Sequence, residues 1–366
     1  MQLVSRRLRA IREKQGLTQA EVSARLGFKD RQTLAAVEAG QRKLTADELL
    51  RAISLFGVNV DYFTDAFRLD GEGRFSWRAK NASPGLLDQF EEQAGKWIAM
   101  YRQLQPGEGA SVSPLQPRLA LNQRSSFEEA QRAAEALGRA WDLGEVPALA
   151  LEEAIRRRLK ALVLYVDAPA GISGAACQLP ELNAILINRN DPEGRRNYDL
   201  AHELFHLLTW DQMPPEHTEF DIPRAGKSNR IEQLADSFAS ALLMPEHALA
   251  PRWESRNGQE IHRWLNETAS EFLVTAVALK WRLHQLGLLQ KTDLVDIRDA
   301  KLIANGRPSN QQPKPLLFGP EFVRRLHAAV GKGELSVRRA ASLLCMTVDD
   351  LATLFESYQL TVPFDL

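Results

Sequence analysis

His202 and His206 stand four residues apart in the run AHELFHLLTW, and Glu203 directly follows the first of them. On a helix that spacing projects both imidazoles from one face, where they can share a metal ion. The pattern is HExxH, the arrangement of zinc-assisted hydrolysis. Zinc takes neutral imidazole nitrogens, and a catalytic site keeps one of its four positions open for water. A carboxylate beside that water accepts its proton and passes it to the leaving amine, and Glu203 is placed for this role. The neighbours Leu200, Ala201, Leu204, Phe205, Leu207 and Leu208 make the helix apolar nearly all round. Its histidines are therefore expected to be buried, and a buried pair without a partner is costly. A metal satisfies both.

Two histidines need a third protein ligand. Between Asn229 and Met244, the residues Ile231, Leu234, Ala235, Phe238, Ala239, Leu242 and Leu243 recur at helical spacing. Glu232 and Asp236 lie together along one edge of that stripe. A carboxylate from this second helix completes a His, His, Glu set, and Asp236, one turn on, can accept the other N–H of a liganding histidine. The plainer alternative for Glu232 is a surface carboxylate favoured near a helix N-terminus. Competing donors are Glu216, His217 and Asp221, which follow Pro214 and Pro215 in a less rigid segment.

The run RRNYDLAHELFH, then ExxADxFASALLMP, with ISGA and ILIN upstream, resembles the ImmA/IrrE family of intracellular metallopeptidases. The resemblance implies a zincin-like, Zn2+-dependent endopeptidase of the gluzincin-like kind, whose family substrates are helix-turn-helix repressors. It implies His202, His206 and Glu232 as ligands and Glu203 as the catalytic residue. The chain departs from the family at Phe205, where members usually carry Gly, and at Tyr198 and Asp199, where they usually carry Phe-Thr. Phe205 is expected to narrow the cleft near the metal without removing a ligand.

The elements that must position these groups sit in a chain of 366 residues, long enough for two or three domains. Its 44% hydrophobic and 25% charged residues suit a soluble globular protein. A net charge of −1 excludes a uniformly basic nucleic-acid binder, though not a basic module. Cys177 and Cys345 are far apart and no CxxC occurs, as in a reducing cytosol. The N-terminus is amphipathic and no stretch approaches ~18 uninterrupted apolar residues, so neither signal peptide nor membrane span is expected, and a cytoplasmic location is.

Residues 1–66 supply the basic module. LTQAEVSARLGF followed by DRQTLAAVEAGQRKLTADELLRAISLFGV reads as helix, turn, helix and two supporting segments, with Thr18 and Asp30 as N-caps and Gly27 as a stop. It resembles the XRE or Cro/C1-type DNA-binding domain, a five-helix unit. Within residues 1–51, eleven Lys/Arg against six acidic residues give a local charge of +5, an electrostatic footprint for phosphate. Arg31, Gln32 and Thr33, with Ala36 one turn on, are placed to reach base edges, and Gln19, Arg42 and Lys43 to reach phosphates. A solvated basic face on a protein-interaction bundle is the alternative.

The expected fold is mainly α with a small β-sheet. Residues 67–122 read as a helical connector, whose aromatic stripe (Phe75, Trp77, Phe90, Trp97, Tyr101) suits a core or dimer seam, ending in the loop PGEGASVSPLQP. Residues 123–250 read as the zincin-like metallopeptidase domain: a helix capped by Ser126 with Glu129, a second helix, then ALVLYV, ISGAACQL and AILIN as a small sheet beside the HExxH helix. Ile185 to Asn188 is read as an edge strand, where an extended substrate could pair. Residues 251–366 read as a C-terminal helical region with a loop around Asn305 to Pro315. Its end resembles a second helix-turn-helix, capped by Ser336 and Thr347, with Arg338 and Arg339 as weak candidates for DNA.

The functional expectation is a DNA-binding zinc endopeptidase that hydrolyses a peptide bond in a protein partner such as a repressor or antitoxin, thereby regulating transcription. The alternative is an XRE-type regulator whose peptidase-like domain is a sensor or dimerisation module with little or no proteolysis. The expected partners are an operator DNA, that protein substrate and a second copy of the chain, since such modules act in pairs on two half-sites. His217 is a candidate oxyanion donor, though a solvent-exposed loop histidine is the plainer reading.

Overall fold

Capping residues set the first helices. The computed structural model describes residues 2–69, 71–80, 82–104, 118–219, 230–303 and 314–365. Helix α1 (Gln2–Lys14) precedes α2 (Gln19–Leu26), which Thr18 and Glu21 open with a capping box and Gly27 ends in the left-handed region at φ +73. Helix α3 (Arg31–Glu38) starts where Asp30 accepts from Thr33 N at 2.8 Å. A second capping box, Thr45 with Glu48, opens α4 (Ala46–Phe56), and α5 (Val60–Thr64) follows. Leu8, Val22, Leu26, Leu34, Val37, Phe56 and Phe63 form their common core. Arg7, wholly buried, ties α1 to the end of α5 by donating to the carbonyls of Tyr62, Asp65 and Arg68. These are the five helices expected at the N-terminus.

Further on come β1 (Arg74–Ala79), α6 (Pro84–Gln103), α7 (Phe127–Trp141) and α8 (Leu151–Leu159). Strands β2 (Leu162–Val166), β3 (Ile172–Gln178) and β4 (Asn183–Asn188) lead into α9 (Glu193–Thr209), followed by β5 (Thr218–Glu219) and α10 (Arg230–Leu243). Helices α11 (Glu246–Glu254), α12 (Ile261–Phe272), α13 (Ala276–Gln285) and α14 (Lys291–Asp296) come next, then α15 (Pro320–Gly331), α16 (Val337–Leu344) and α17 (Val348–Ser357). The chain divides into two compact units. One holds Met1–Arg74, Pro84–Glu108 and Glu321–Leu366, and the other Phe75–Ser83 and Gly109–Pro320.

In the second unit the five strands lie in the order β2-β4-β3-β1-β5. β4 runs parallel to β2, with Val163 opposite Ile185, and antiparallel to β3, with Gly174 opposite Ile187. All six residues of β4 are buried, as its apolar run NAILIN requires of a strand covered on both faces. The three strands read from sequence are all present. Ile185 to Asn188, however, is interior rather than an edge, because β2 and β3 flank it. The expected pairing of substrate with that segment is therefore blocked; the outermost strands among the described residues are β2 and β5.

Two further departures concern residues 67–122 and the boundary at 250. Phe75 and Trp77 lie in a strand, not on a helical stripe, and β1 pairs with β5 through Trp77 opposite Thr218. The end of β1 meets Gly171, whose φ of +89 and place 2.3 Å (from a would-be Cβ) from the carbonyl of Lys80 leave room for no side chain. Beyond residue 250, Leu265 and Phe272 of α12 and Leu279 and Leu283 of α13 join the same apolar core as α9 and α10. Loop 106–117 and Asp221 lie outside the described residues, as does all but the end of the tract from Asn305 to Pro315. In the first unit, Ser336 and Thr347 cap α16 and α17 as expected, but the outward positions of α17 include Asp349, Asp350 and Glu356, and Arg339 pairs with Asp65. That face repels phosphate.

Candidate metal centre and nucleic-acid face

Helix α9 is buried from Asp199 to Thr209 without a break, because its apolar residues surround the HExxH turn on every side. Phe205 packs against Phe238 of α10 with the rings tilted and their centres 5.4 Å apart, so the bulky residue serves the contact between the two helices. Ile231, Leu234, Ala235 and Phe238 bury the facing side of α10. This packing turns Glu232 and Asp236 toward the histidines.

His202 Nε2 lies 3.0 Å from His206 Nε2 and 3.2 Å from Glu232 Oε2, and His206 Nε2 lies 3.6 Å from the same oxygen. Bonds of about 2.0–2.2 Å at a tetrahedral angle separate ligand atoms by about 3.3–3.6 Å; the 3.6 Å separation matches this and the other two are a few tenths of an ångström shorter, close to the spacing of one coordination sphere. Among the described residues, these three are the group whose donor atoms gather closely enough to hold a metal. The tautomer agrees. His202 Nδ1 is 3.0 Å from Asp236 Oδ1, which can only accept, so this nitrogen carries the proton and Nε2 turns its lone pair toward His206 and Glu232. Glu232 Oε1 is buried with no hydrogen-bond partner among the described residues, as suits a ligand oxygen rather than a surface carboxylate. A zinc-type cation fits this donor set.

Glu203 is fully buried beside this point, against β3. A Cβ on Gly174 would stand 3.6 Å from its Oε1, so the backbone passes the carboxylate with no side chain between. Of the competing donors, Glu216 and His217 are bound through their carbonyls to β1, by Ser76 Oγ and Trp77 N. Beside Asp236 a pocket of about 500 Å3 is lined by Phe127, Tyr198, Ser240 and Trp281 among others.

Arg78 was not legible as a site residue, yet it belongs here. Its Nη2 is 3.4 Å from Asp236 Oδ1 and its Nε 3.4 Å from Asp199 Oδ1, with the Tyr198 ring 5.9 Å from its Cζ. Partial desolvation opposes ionisation of Asp236, but the hydrogen bond from His202 and the guanidinium of Arg78 outweigh it and hold the carboxyl well below the usual carboxylate range. The unusual pair on α9 finds its use here: Tyr198 donates to the Asp236 carbonyl at 3.0 Å, and Asp199 takes Arg195 Nε at 3.0 Å. The alternation in RFSWRA was the one available hint that Arg78 lies on a strand.

The expected DNA face divides. Arg31 and Gln32 at the start of α3 and Lys43 beyond it are exposed, while Thr33 and Ala36 are half-buried and Thr33 Oγ1 donates to Asp30. Gln19 donates to Glu38 at 2.8 Å, and Arg42 grips Glu48 through two bonds of 2.9 and 2.7 Å while covering the Phe28 ring. Both therefore have partners within the domain.

Residues 156–284 match the family model of the IrrE N-terminal-like domain, peptidase M78, and residues 8–63 match a helix-turn-helix model. No curated protein and no solved structure matches the chain. Among the described residues no helix is long and apolar enough to cross a membrane. HExxH lies inside the first match and the exposed start of α3 inside the second, so the chain joins an XRE-type helix-turn-helix domain to a stretch similar to the IrrE N-terminal-like (peptidase M78) domain.

Proposed function

We propose that this protein is a zinc-dependent endopeptidase that hydrolyses a peptide bond in a protein partner, such as a helix-turn-helix repressor or antitoxin, and so regulates transcription. The observation that carries the reading is the gathering of His202, His206 and Glu232 donor atoms within 4.8 Å of one another beside the buried Glu203. His202, His206 and Glu232 would hold a zinc ion, which when bound would supply the Lewis acidity that lowers the pKa of water. Glu203 accepts a proton from that water and returns it to the nitrogen of the departing peptide. Asp236 keeps His202 in the tautomer that presents Nε2.

The exposed Arg31, Gln32 and Lys43 support contact with operator DNA, and a homodimer on paired half-sites fits an XRE-type module. The same fusion favours a second reading, a regulator whose peptidase-like domain senses or dimerises without cleaving. Glu203→Gln separates the two. With zinc content unchanged, loss of repressor turnover in cells producing the variant supports the peptidase. Unchanged turnover leaves the regulator.

A further inference from the structure

We infer that Arg78 is a positioning residue of the metal centre, acting on His202 through Asp236. The inference rests on the metal-centre reading above and deepens it. Arg78 comes from β1, outside the stretch matched as peptidase, 121 residues before Asp199 and 158 before Asp236. Its guanidinium divides between two helices: Nε faces Asp199 Oδ1 on α9 at 3.4 Å, and Nη1 and Nη2 face Asp236 Oδ1 on α10 at 3.5 and 3.4 Å. That same Oδ1 accepts His202 Nδ1 at 3.0 Å.

The need for such a residue follows from exposure. The Asp236 side chain is 47% exposed, so water competes for its oxygens and its rotamer is not fixed by packing. Among the described residues its carboxylate has two side-chain partners, His202 and Arg78. Without the arginine, the orientation of His202 depends on a carboxylate held at one end only. Asp199 supplies the opposite anchor: its side chain is fully buried, and Arg195 on the same helix grips its other oxygen at 3.0 Å. A planar fork can serve carboxylates on two helices at once, whereas a lysine ammonium is a single point charge.

The test is zinc affinity of the full chain, read by competition with a chromogenic chelator, which needs no substrate. Asp236→Asn is expected to weaken binding by about 10- to 100-fold. Arg78→Ala is expected to weaken it about three- to tenfold, Arg78→Lys by less, and Arg78→Ala with Asp236→Asn no more than Asp236→Asn alone. That non-additivity distinguishes action through Asp236 from general loosening of the fold. Wild-type affinity in the Arg78 variants, or losses that multiply in the double variant, overturns the inference. Should Arg78→Ala not fold by circular dichroism, Arg78→Lys decides: a loss of about twofold or more supports the inference and an unchanged affinity overturns it. A wild-type chain that binds no zinc overturns the metal-centre reading itself, an outcome distinct from wild-type binding with indifferent Arg78 variants.

Discussion

Gly174 and Glu203 face each other with only hydrogen atoms between backbone and carboxylate: a Cβ on the glycine would stand 3.6 Å from Glu203 Oε1 and 3.0 Å from the Leu186 carbonyl. Filling that space should separate metal binding from chemistry, because the ligands sit on α9 and α10. Gly174→Val is expected to keep its zinc, measured by elemental analysis. Turnover of a co-produced helix-turn-helix repressor, followed by immunoblot, should fall about 100-fold.

Asp191 gives a pH signature. Burial, then the charge of Asp199, raises its pKa from 3.8 to about 6. A raised acid stabilises the fold only while protonated, so its contribution is intact below about pH 4 and lost as pH climbs through 6. Asp191→Asn should therefore gain on the order of 2 kcal/mol over the wild type at pH 7.5 and almost nothing at pH 4. Urea midpoints at the two pH values check this.

In the helix-turn-helix domain, Arg12 Nε meets Glu38 Oε1 at 2.6 Å, and both side chains are nearly buried. Glu38→Ala leaves the guanidinium without its main counter-charge and also frees Gln19. A loss of about 3–5 kcal/mol in the unfolding of this unit is expected in urea titration, and DNA binding should go with it.

Adjacent basic residues beyond α3 should behave differently. Lys43 is exposed, so Lys43→Ala is expected to lower DNA affinity on all sequences alike and reduce the slope of log K against log salt by about 0.9. Arg42→Ala instead removes the clamp on Glu48, and thermal melting should register it more than the salt slope does. Arg31→Ala or Gln32→Ala should cost about 1–3 kcal/mol at particular base positions. Shift assays at several salt concentrations distinguish the three patterns.

Metal removal should loosen the α9 and α10 contact. If zinc is present at about 100 times its dissociation constant, it stabilises the fold by about 2.7 kcal/mol. Chelation is then expected to lower the melting temperature by roughly 5–10 °C, restored by zinc, while His206→Ala melts alike with and without chelator.

Much of this was legible because the signals are local. Thr18 with Glu21 and Ser126 with Glu129 announce helix starts within four residues, and the spacing of His202 from His206 needs only one turn. Glu232 could be narrowed to a short list because its helix carries a continuous apolar stripe. Arg78 and the interior place of β4 depend on contacts between residues more than a hundred apart, or on which strands flank which, and no periodicity reports these. Arg42 shows a subtler limit. Its charge was visible, but Glu48, which also closes the α4 capping box, claims it.

In sequence the strand from Arg74 to Ala79 falls between α5 and α6 of the other compact unit, so the polypeptide enters the second unit at Phe75–Ser83, leaves it, and returns with Gly109–Pro320. In sequence the chain therefore alternates between the two units rather than completing one before starting the other. Cutting the gene after the helix-turn-helix and connector would yield a second unit lacking one strand of its sheet and the guanidinium it carries, even with every residue of the HExxH segment intact. Severing the modules and inspecting only the motif would mistake an incomplete candidate site for a whole one.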